Sequence, residues 1–215
     1  TRVLSAAGQA AWSSSRRASS GSLRNATAVQ REKIVVIGGM MSQSEADRVK
    51  NLEVLDTRSG KWEAVQATKE TRIYGGAAVL GGYLYVCGGC GNTCVRYHPA
   101  GESHGRWSRV SMPPLRQPLH GCAVVALDRH LYVLGGLDLS TREVCKSVQR
   151  LDPSGKGGGA FEWVAPGMRE RRRSHAAVAL QHRIYVCGGC DKGFELEPDA
   201  DLSVACSAGV FSPAA

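Results

Sequence analysis

RIYGGAAVLGGYLYVCGG, Arg72 to Gly89, holds the grammar of the whole chain. Two apolar runs, GAAVL at Gly76 to Leu80 and LYVC at Leu84 to Cys87, flank a short turn containing Gly81 and Gly82. That is the signature of a β-hairpin, because glycine supplies the positive φ that tight hairpin turns need. The second run ends in the pair Gly88-Gly89. Runs of the same kind end in glycine pairs three more times: IVVIGG (Ile34 to Gly39), LYVLGG (Leu131 to Gly136) and IYVCGG (Ile184 to Gly189). The first glycines of the pairs, Gly38, Gly88, Gly135 and Gly188, are 50, 47 and 53 residues apart. Such a beat marks an array of repeated units, and it must be recognised before any single element is assigned.

The rest of each unit keeps the beat. Upstream of three pairs stands a first apolar strand: GAAVL, then CAVVAL (Cys122 to Leu127) and AAVAL (Ala176 to Leu180). Downstream comes a third piece ending in a turn: EVLDT (Glu53 to Thr57), VRYHP (Val95 to Pro99), QRLDP (Gln149 to Pro153) and, in the last unit, ELEPD (Glu195 to Asp199). A tryptophan then opens a fourth piece at Trp62, Trp107 and Trp163, and Trp12 stands in the same phase. Trp12 and Trp62 each precede the next glycine pair by 26 residues, Trp107 by 28 and Trp163 by 25. Four short strands per unit, none able to cover both faces of its own sheet, must stack on their neighbours. The paired glycines are expected where strands crowd an axis, and the tryptophans are expected to bury a large face between adjacent sheets.

This pattern, R-x2-3-H/Y-G-A-x-V-L … Y-V-x-G-G … Y/L-D-P … W, resembles that of the kelch-repeat β-propellers. It is clearest in the opening stretch together with RYHPAGESHGRW (Arg96 to Trp107) and runs over about residues 24 to 192. The resemblance implies an all-β propeller of about four four-stranded blades, with units at about 31–70, 71–115, 116–170 and a degenerate 171–215. Residues 1–30, rich in Ser, Ala and Arg, read as a linker or as the outer strand of a neighbouring blade. Fewer units are present than a closed kelch ring uses. The chain therefore reads as part of a propeller, and the other reading is that the Trp12 segment completes the last blade.

Composition narrows the function. The 215 residues carry Lys+Arg 27 against Asp+Glu 19, a formal net charge of +8, and 20 of the 27 cations are arginine. Guanidinium groups bind carboxylates bidentately, so an acidic partner is the natural complement. No apolar stretch reaches the ~18 residues of a membrane span. Nucleic acid is a weaker reading, because the charge comes from turns and lacks interleaved aromatics. Cys87, Cys122 and Cys187 lie within apolar runs, which suits reduced thiols packed as small hydrophobes and a cytoplasmic setting. The two CGGC motifs, Cys87 to Cys90 and Cys187 to Cys190, are 100 residues apart, too far for the halves of one zinc ribbon. No catalytic, cofactor-binding or metal-ligating set is expected, and the chain reads as a non-enzyme.

The loop ahead of each first strand carries the functional expectation. Arg72 and Arg172 each stand 16 residues before the first glycine of a pair, and Arg116 stands before His120 as Arg172 stands before His175. Tyr74, His120 and His175 border the same loops, Arg173 extends the run MRERRR (Met168 to Arg173), and Asn92 and Asp138 follow the glycine pairs. The kelch resemblance implies that these loops open on the partner-binding face, with Arg72, Tyr74, Arg116, His120, Arg172, Arg173, Asn92 and Asp138 as contact residues. It further implies the substrate-recognition part of a cullin-RING ubiquitin-ligase adaptor, which would engage a cullin only through a BTB region outside this sequence. An actin or other cytoskeletal scaffold, and a carbohydrate-active enzyme of the galactose-oxidase or sugar-mutarotase kind, stand as the alternatives.

Overall fold

A computed structural model describes residues 26–30, 32–39, 52–65, 72–97, 112–154, 159–192 and 208–211. They form four antiparallel sheets, one per repeat. Sheet I runs β1 (Ala26–Gln30), β2 (Lys33–Ile37), β3 (Leu52–Asp56), β4 (Lys61–Val65), in that spatial order. Sheet II is β5 (Gly76–Leu80), β6 (Tyr83–Cys87) and β7 (Cys94–Tyr97). Sheet III holds β9 (Ala123–Leu127), β10 (His130–Asp138), β11 (Val144–Leu151) and β12 (Glu162–Val164), and the short β8 (Leu119–His120) pairs with the far end of β10. Sheet IV is β13 (Ala176–Leu180), β14 (Arg183–Cys187) and β15 (Ala208–Phe211). The first strands β1, β5, β9 and β13 lie side by side in sequence order. All-β composition, meander sheets and this succession make an open kelch-type propeller.

The apolar core is divided among the seams between sheets. Ala28, Val35, Ile37, Leu52 and Val54 of sheet I meet Ala77, Leu84, Val86 and Tyr97 of sheet II. The opposite side of sheet II, with Ala78, Tyr85, Cys87 and Cys94, meets Leu119, Cys122, Val124, Leu131, Val133 and Phe161. Ala123, Val125, Tyr132, Leu134 and Val148 of sheet III meet Ala177, Ile184, Val186 and Phe211 of sheet IV. Period-2 alternation puts successive residues on opposite seams, which is why strands buried on both faces read as continuous apolar runs.

The glycine pairs are what let the seams close. In each pair both φ angles are positive. A Cβ on the first glycine would strike the loop carbonyl of the next sheet: Arg72 O from Gly38, Leu119 O at 3.0 Å from Gly88 and Arg172 O at 2.5 Å from Gly135. A Cβ on the second would meet a carbonyl of its own sheet's loop: Ile73 O at 2.7 Å from Gly89, His120 O at 3.1 Å from Gly136 and Arg173 O at 2.8 Å from Gly189. One glycine thus admits the neighbour and the other admits the sheet's own lead-in.

Several expectations need correction. Sheet I starts at Ala26, inside the stretch read as linker, because β1 pairs along its whole length with β2. The third strand of sheet IV is Ala208–Phe211, aligned on β14 through Ile184↔Phe211 and Cys187↔Ala208. ELEPD, the stretch expected there, lies outside the described residues, as do Trp12 and Trp107. Trp163 does not seal a seam: it is 47% exposed, whereas Phe161, two residues earlier, is 1% exposed and fills the gap between sheets II and III. Because β12 is an edge strand, its alternate residues face solvent.

Candidate binding face

The antiparallel hairpins bring the start of each first strand and the glycine pair ending the second to one end of the sheets. The loops of that end are held by two repeating rows of backbone hydrogen bonds. In the first, the second glycine of each of the first three pairs donates its N–H to the next sheet's lead-in: Gly39 to Arg72 O, Gly89 to Leu119 O and Gly136 to Arg172 O, each 2.8 Å. In the second, Gly121 N–H donates to Tyr74 O at 2.8 Å and Ser174 N–H to Gly121 O at 2.7 Å. Tyr74, Gly121 and Ser174 all have positive φ, at 55°, 68° and 54°. They hold one structural position, two residues before the strand start.

That register corrects the expected equivalences. Arg72 and Arg172 each stand four residues before their strand, at Gly76 and Ala176, and Leu119, not Arg116, holds the place before Ala123. His120 likewise corresponds to Ile73 and Arg173, and His175 to Gly75 and Cys122. Counting back 16 residues from Gly135 gives the same Leu119, because the β9–β10 turn is two residues long, as in sheets II and IV; Arg116 lies three residues outside that place.

Arg72 and Arg172 are built into the wall instead of lining an open pocket. Each is 3% exposed. Arg72 Nη1 donates to Gly88 O and Thr93 O, both 2.9 Å, and Arg172 Nη1 donates to Gly188 O at 2.6 Å while Nη2 meets the Glu170 carboxylate. The side chain thus holds the end of its own sheet's second strand while its backbone carbonyl holds the sheet before. Asp138 is also 8% exposed, its Oδ1 accepting from Ser140 N–H at 2.8 Å, which shapes the β10–β11 turn. His120 is 6% exposed; its Nδ1 lies 3.2 Å from Gly89 O and its ring sits 4.0 Å from that of Tyr74.

The accessible members differ from those expected. Arg116 is exposed, although its backbone N–H donates to Gln149 Oε1 and its Nε to Phe161 O. Asn92 is exposed, with its carbonyl accepting from Leu115 N–H at 2.7 Å. Arg173 is half-buried and donates through Nε to Lys192 O at 2.7 Å, and Tyr74 is half-buried. Arg169 and Arg171 of the MRERRR run are exposed at the same end, as are Lys192 after the last glycine pair and Arg142, which the sequence did not single out. Their acidic neighbours are Glu143, which takes a hydrogen bond from Arg171 Nη1 at 3.2 Å, Glu170 and Asp191.

The buried thiols Cys87, Cys94 and Cys122 and the buried imidazole of His175 belong to the seams. Cys87 and Cys94 face each other across β6 and β7, and the Cys122 thiol lies 3.8 Å from Cys87 O. Burial pushes the Cys122 thiol up to about 12 and holds Cys94 well above the ordinary range, the neighbouring Cys87 adding to the latter. Protonated, dry thiols are poor nucleophiles and poor ligands. Among the described residues no group of His, Cys, Asp and Glu is arranged to hold a metal ion. His175 is 1% exposed between the loops of sheets III and IV, its Cε1 3.1 Å from where Gly135 would carry a Cβ; burial, with Arg172 adding, lowers its pKa to about 4. Among the described residues no helix is long and apolar enough to cross a membrane.

Comparison with known proteins agrees with this architecture. The kelch motif matches residues 23–67, 118–156 and 171–198, just over half of the chain. Human Kelch-like protein 33 is 34% identical over 126 residues, covering 54% of this chain and 21% of that protein. Kelch repeat and BTB domain-containing protein 12 of Danio rerio is 24% identical over 181 residues, 73% of this chain and 28% of the relative. An F-box/kelch-repeat protein of Arabidopsis thaliana is 36% identical over 98 residues, 46% of this chain and 18% of the relative. The chain thus spans about a quarter of the length of such relatives. Kelch-like and BTB-kelch relatives support a protein-interaction module. With the repeat, the sheet succession and the motif in agreement, the chain belongs to the kelch-repeat family.

Proposed function

We propose that the loop end of this propeller is a recognition surface for an acidic protein segment, presented to a ubiquitin ligase of which this chain forms the substrate-binding part. The observation that carries the reading is the accessible charge of that end: Arg116, Arg142, Arg169, Arg171, Arg173 and Lys192 against Glu143, Glu170 and Asp191. A cationic rim over a rigid backbone wall steers an anionic segment and holds it by charge-assisted hydrogen bonds. Arg72 and Arg172 contribute by fixing the loops, and Tyr74 and His120 offer an aromatic floor at the boundary of sheets II and III. The adaptor part of the reading rests on the BTB and F-box portions named in the relatives. It places the chain in the cytoplasm, with cullin contact made outside this sequence.

The test is fluorescence anisotropy with a labelled Asp/Glu-rich peptide and a Lys-rich control of equal length. Replacing Arg169, Arg171 and Lys192 together by Gln should weaken the acidic peptide about tenfold, roughly 1.4 kcal/mol. It should also flatten the salt dependence. Equal binding of both peptides, or no loss in the triple variant, overturns the reading.

A further inference from the structure

The hairpin of β6 and β7 sets two cysteines directly opposite each other, Cys87↔Cys94. The corresponding pairs of the other sheets are Ile37↔Leu52, Leu134↔Val148 and Cys187↔Ala208, so among the described residues sheet II alone has a thiol on both strands there. The ladder decides what kind of pair this is. Gly88 and Thr93, the next residues along, are joined by a hydrogen bond from Gly88 N–H to Thr93 O at 3.1 Å. Hydrogen-bonded and non-hydrogen-bonded pairs alternate in an antiparallel ladder, so Cys87 and Cys94 form a non-hydrogen-bonded pair, whose Cα atoms approach to about 4.5 Å. A disulfide spans Cα separations of about 4.4–6.8 Å, so side-chain rotation suffices to join them.

Both thiols point into the internal seam with sheet III, where Cys87 is 0% and Cys94 8% exposed. Burial holds the Cys94 thiol above its ordinary range, and the Cys87 thiol, in hydrogen-bond contact with it, adds to the rise. Cys122 is the third thiol of the cluster, but it stands on the facing sheet. Its sulfur lies against backbone, 3.8 Å from Cys87 O and 2.8 Å from where Gly88 would carry a Cβ, and no ladder fixes its distance to either partner. The loop between the pair, residues 88–93, is part of the wall of the loop end. Arg72 Nη1 donates to Gly88 O and Thr93 O, Gly89 N–H to Leu119 O, and Leu115 N–H to Asn92 O.

We propose that Cys87 and Cys94 are a redox-active pair, which a low-molecular-weight disulfide such as glutathione disulfide converts to a cross-strand disulfide as the hairpin folds. One cysteine, as thiolate, attacks a sulfur of glutathione disulfide. That S–S bond breaks, and the glutathione thiolate released takes up the proton the cysteine lost. The other cysteine, deprotonated in turn, attacks the protein sulfur of the mixed disulfide and expels the second glutathione. Two protein thiols lose two electrons and two protons, and one glutathione disulfide becomes two glutathiones. Burial sets the timing, because the closed seam offers neither a thiolate nor an approach. Local pairings form faster than contacts between sheets, so exchange takes place while both sulfurs still meet solvent. Once sheet III covers the pair, the same burial shields it from reductant. A chain folded in a reducing compartment therefore carries the dithiol, and one folded under oxidative load keeps the disulfide, which staples the loop that Arg72 clamps.

The full chain is refolded from urea at fixed glutathione and graded glutathione disulfide, quenched with iodoacetamide and digested with trypsin without reduction. Residues 73–96 form one tryptic peptide, which holds Cys87, Cys90 and Cys94. In Cys90→Ser that peptide should appear unlabelled and lighter by two hydrogens than the dithiol form. It should reach this state at about tenfold less glutathione disulfide than the chain kept in urea requires. The oxidised chain should also unfold at higher urea than the reduced one, and dithiothreitol should reduce it at least about tenfold more slowly in buffer than in urea. Should Cys90→Ser fail to fold, fragmentation of the wild-type peptide locates the bond. A dithiol or a lasting glutathione adduct at every ratio overturns the proposal. So does a bond to Cys90, or a link to the peptide of residues 117–129, which carries Cys122. An unfolding midpoint that oxidation leaves unchanged overturns it too, since that describes chance pairing of near neighbours in the unfolded chain.

Discussion

Gly135 and Gly188 occupy the same place in successive repeats and share nearly the same φ, +52° and +68°, yet face different surroundings. Alanine at either must adopt a left-handed backbone, which costs about 1–2 kcal/mol. Gly135→Ala must in addition push its Cβ off Arg172 O at 2.5 Å, whereas at Gly188 nothing among the described residues stands in the way. Urea denaturation should therefore rank Gly135→Ala well below Gly188→Ala in stability, and equal losses would refute the steric account. The arginines divide similarly by surroundings. Arg172→Ala leaves Gly188 O and the Glu170 carboxylate without their donor, so it should cost about 1–3 kcal/mol of stability. Its mark is a shifted denaturation midpoint. Among the thiols, Cys90 and Cys187 are exposed while Cys87, Cys94 and Cys122 are buried, so a thiol reagent should modify the first two in the folded chain and the last three only on unfolding. Sequence made the glycines readable, because positive φ has few other solutions. It could not rank the arginines, since a buried guanidinium bonded to carbonyls and an exposed one in a rim are written with the same letter.

At the level of strands and seams, β12 shows how a residue can keep phase without keeping its role. Trp163 recurs on the beat and looked like the large side chain between sheets, but alternation along a three-residue edge strand turns it outward. Phe161→Ala should cost about 3–5 kcal/mol, and Trp163→Ala under about 1 kcal/mol. The seam between sheets III and IV carries its own pH dependence through His175. Its folded pKa, about 4, lies below the ordinary 6.5, so the unfolded chain takes up the proton first. Stability from this group is level above about pH 6.5 and falls as pH drops toward 4, with a total span of about 3 kcal/mol. His175→Cys, the residue sheet III carries at that position in Cys122, should flatten the midpoint-against-pH curve over that interval; an unchanged slope would remove His175 as its source. The missed third strand of sheet IV has a plain cause. Ala208–Phe211 begins 21 residues after Cys187, while β7 begins 7 after Cys87, and no Asp-Pro or Tyr-His-Pro turn announces it.

For the molecule as a whole, the fold class was legible because repetition multiplies a weak local signal: one glycine pair is a turn, and four in phase are an architecture. The face was legible only as a location. Which side chains reach solvent there depends on loop register, in which Leu119 and Cys122, not Arg116 and His120, hold the places of Arg172 and His175. The rows of hydrogen bonds from Gly39 to Arg72, Gly89 to Leu119 and Gly136 to Arg172 join each sheet only to the next. Connectivity of that kind behaves as a one-dimensional chain of nearest-neighbour couplings, in which an interior unit draws support from two sides and a terminal unit from one. Sheets I and IV, each with one neighbour among the described residues, should therefore open before sheets II and III, so amide hydrogen exchange would run as a gradient inward from both. Gly188, which meets no neighbour among the described residues, marks one of the places where the molecule comes undone.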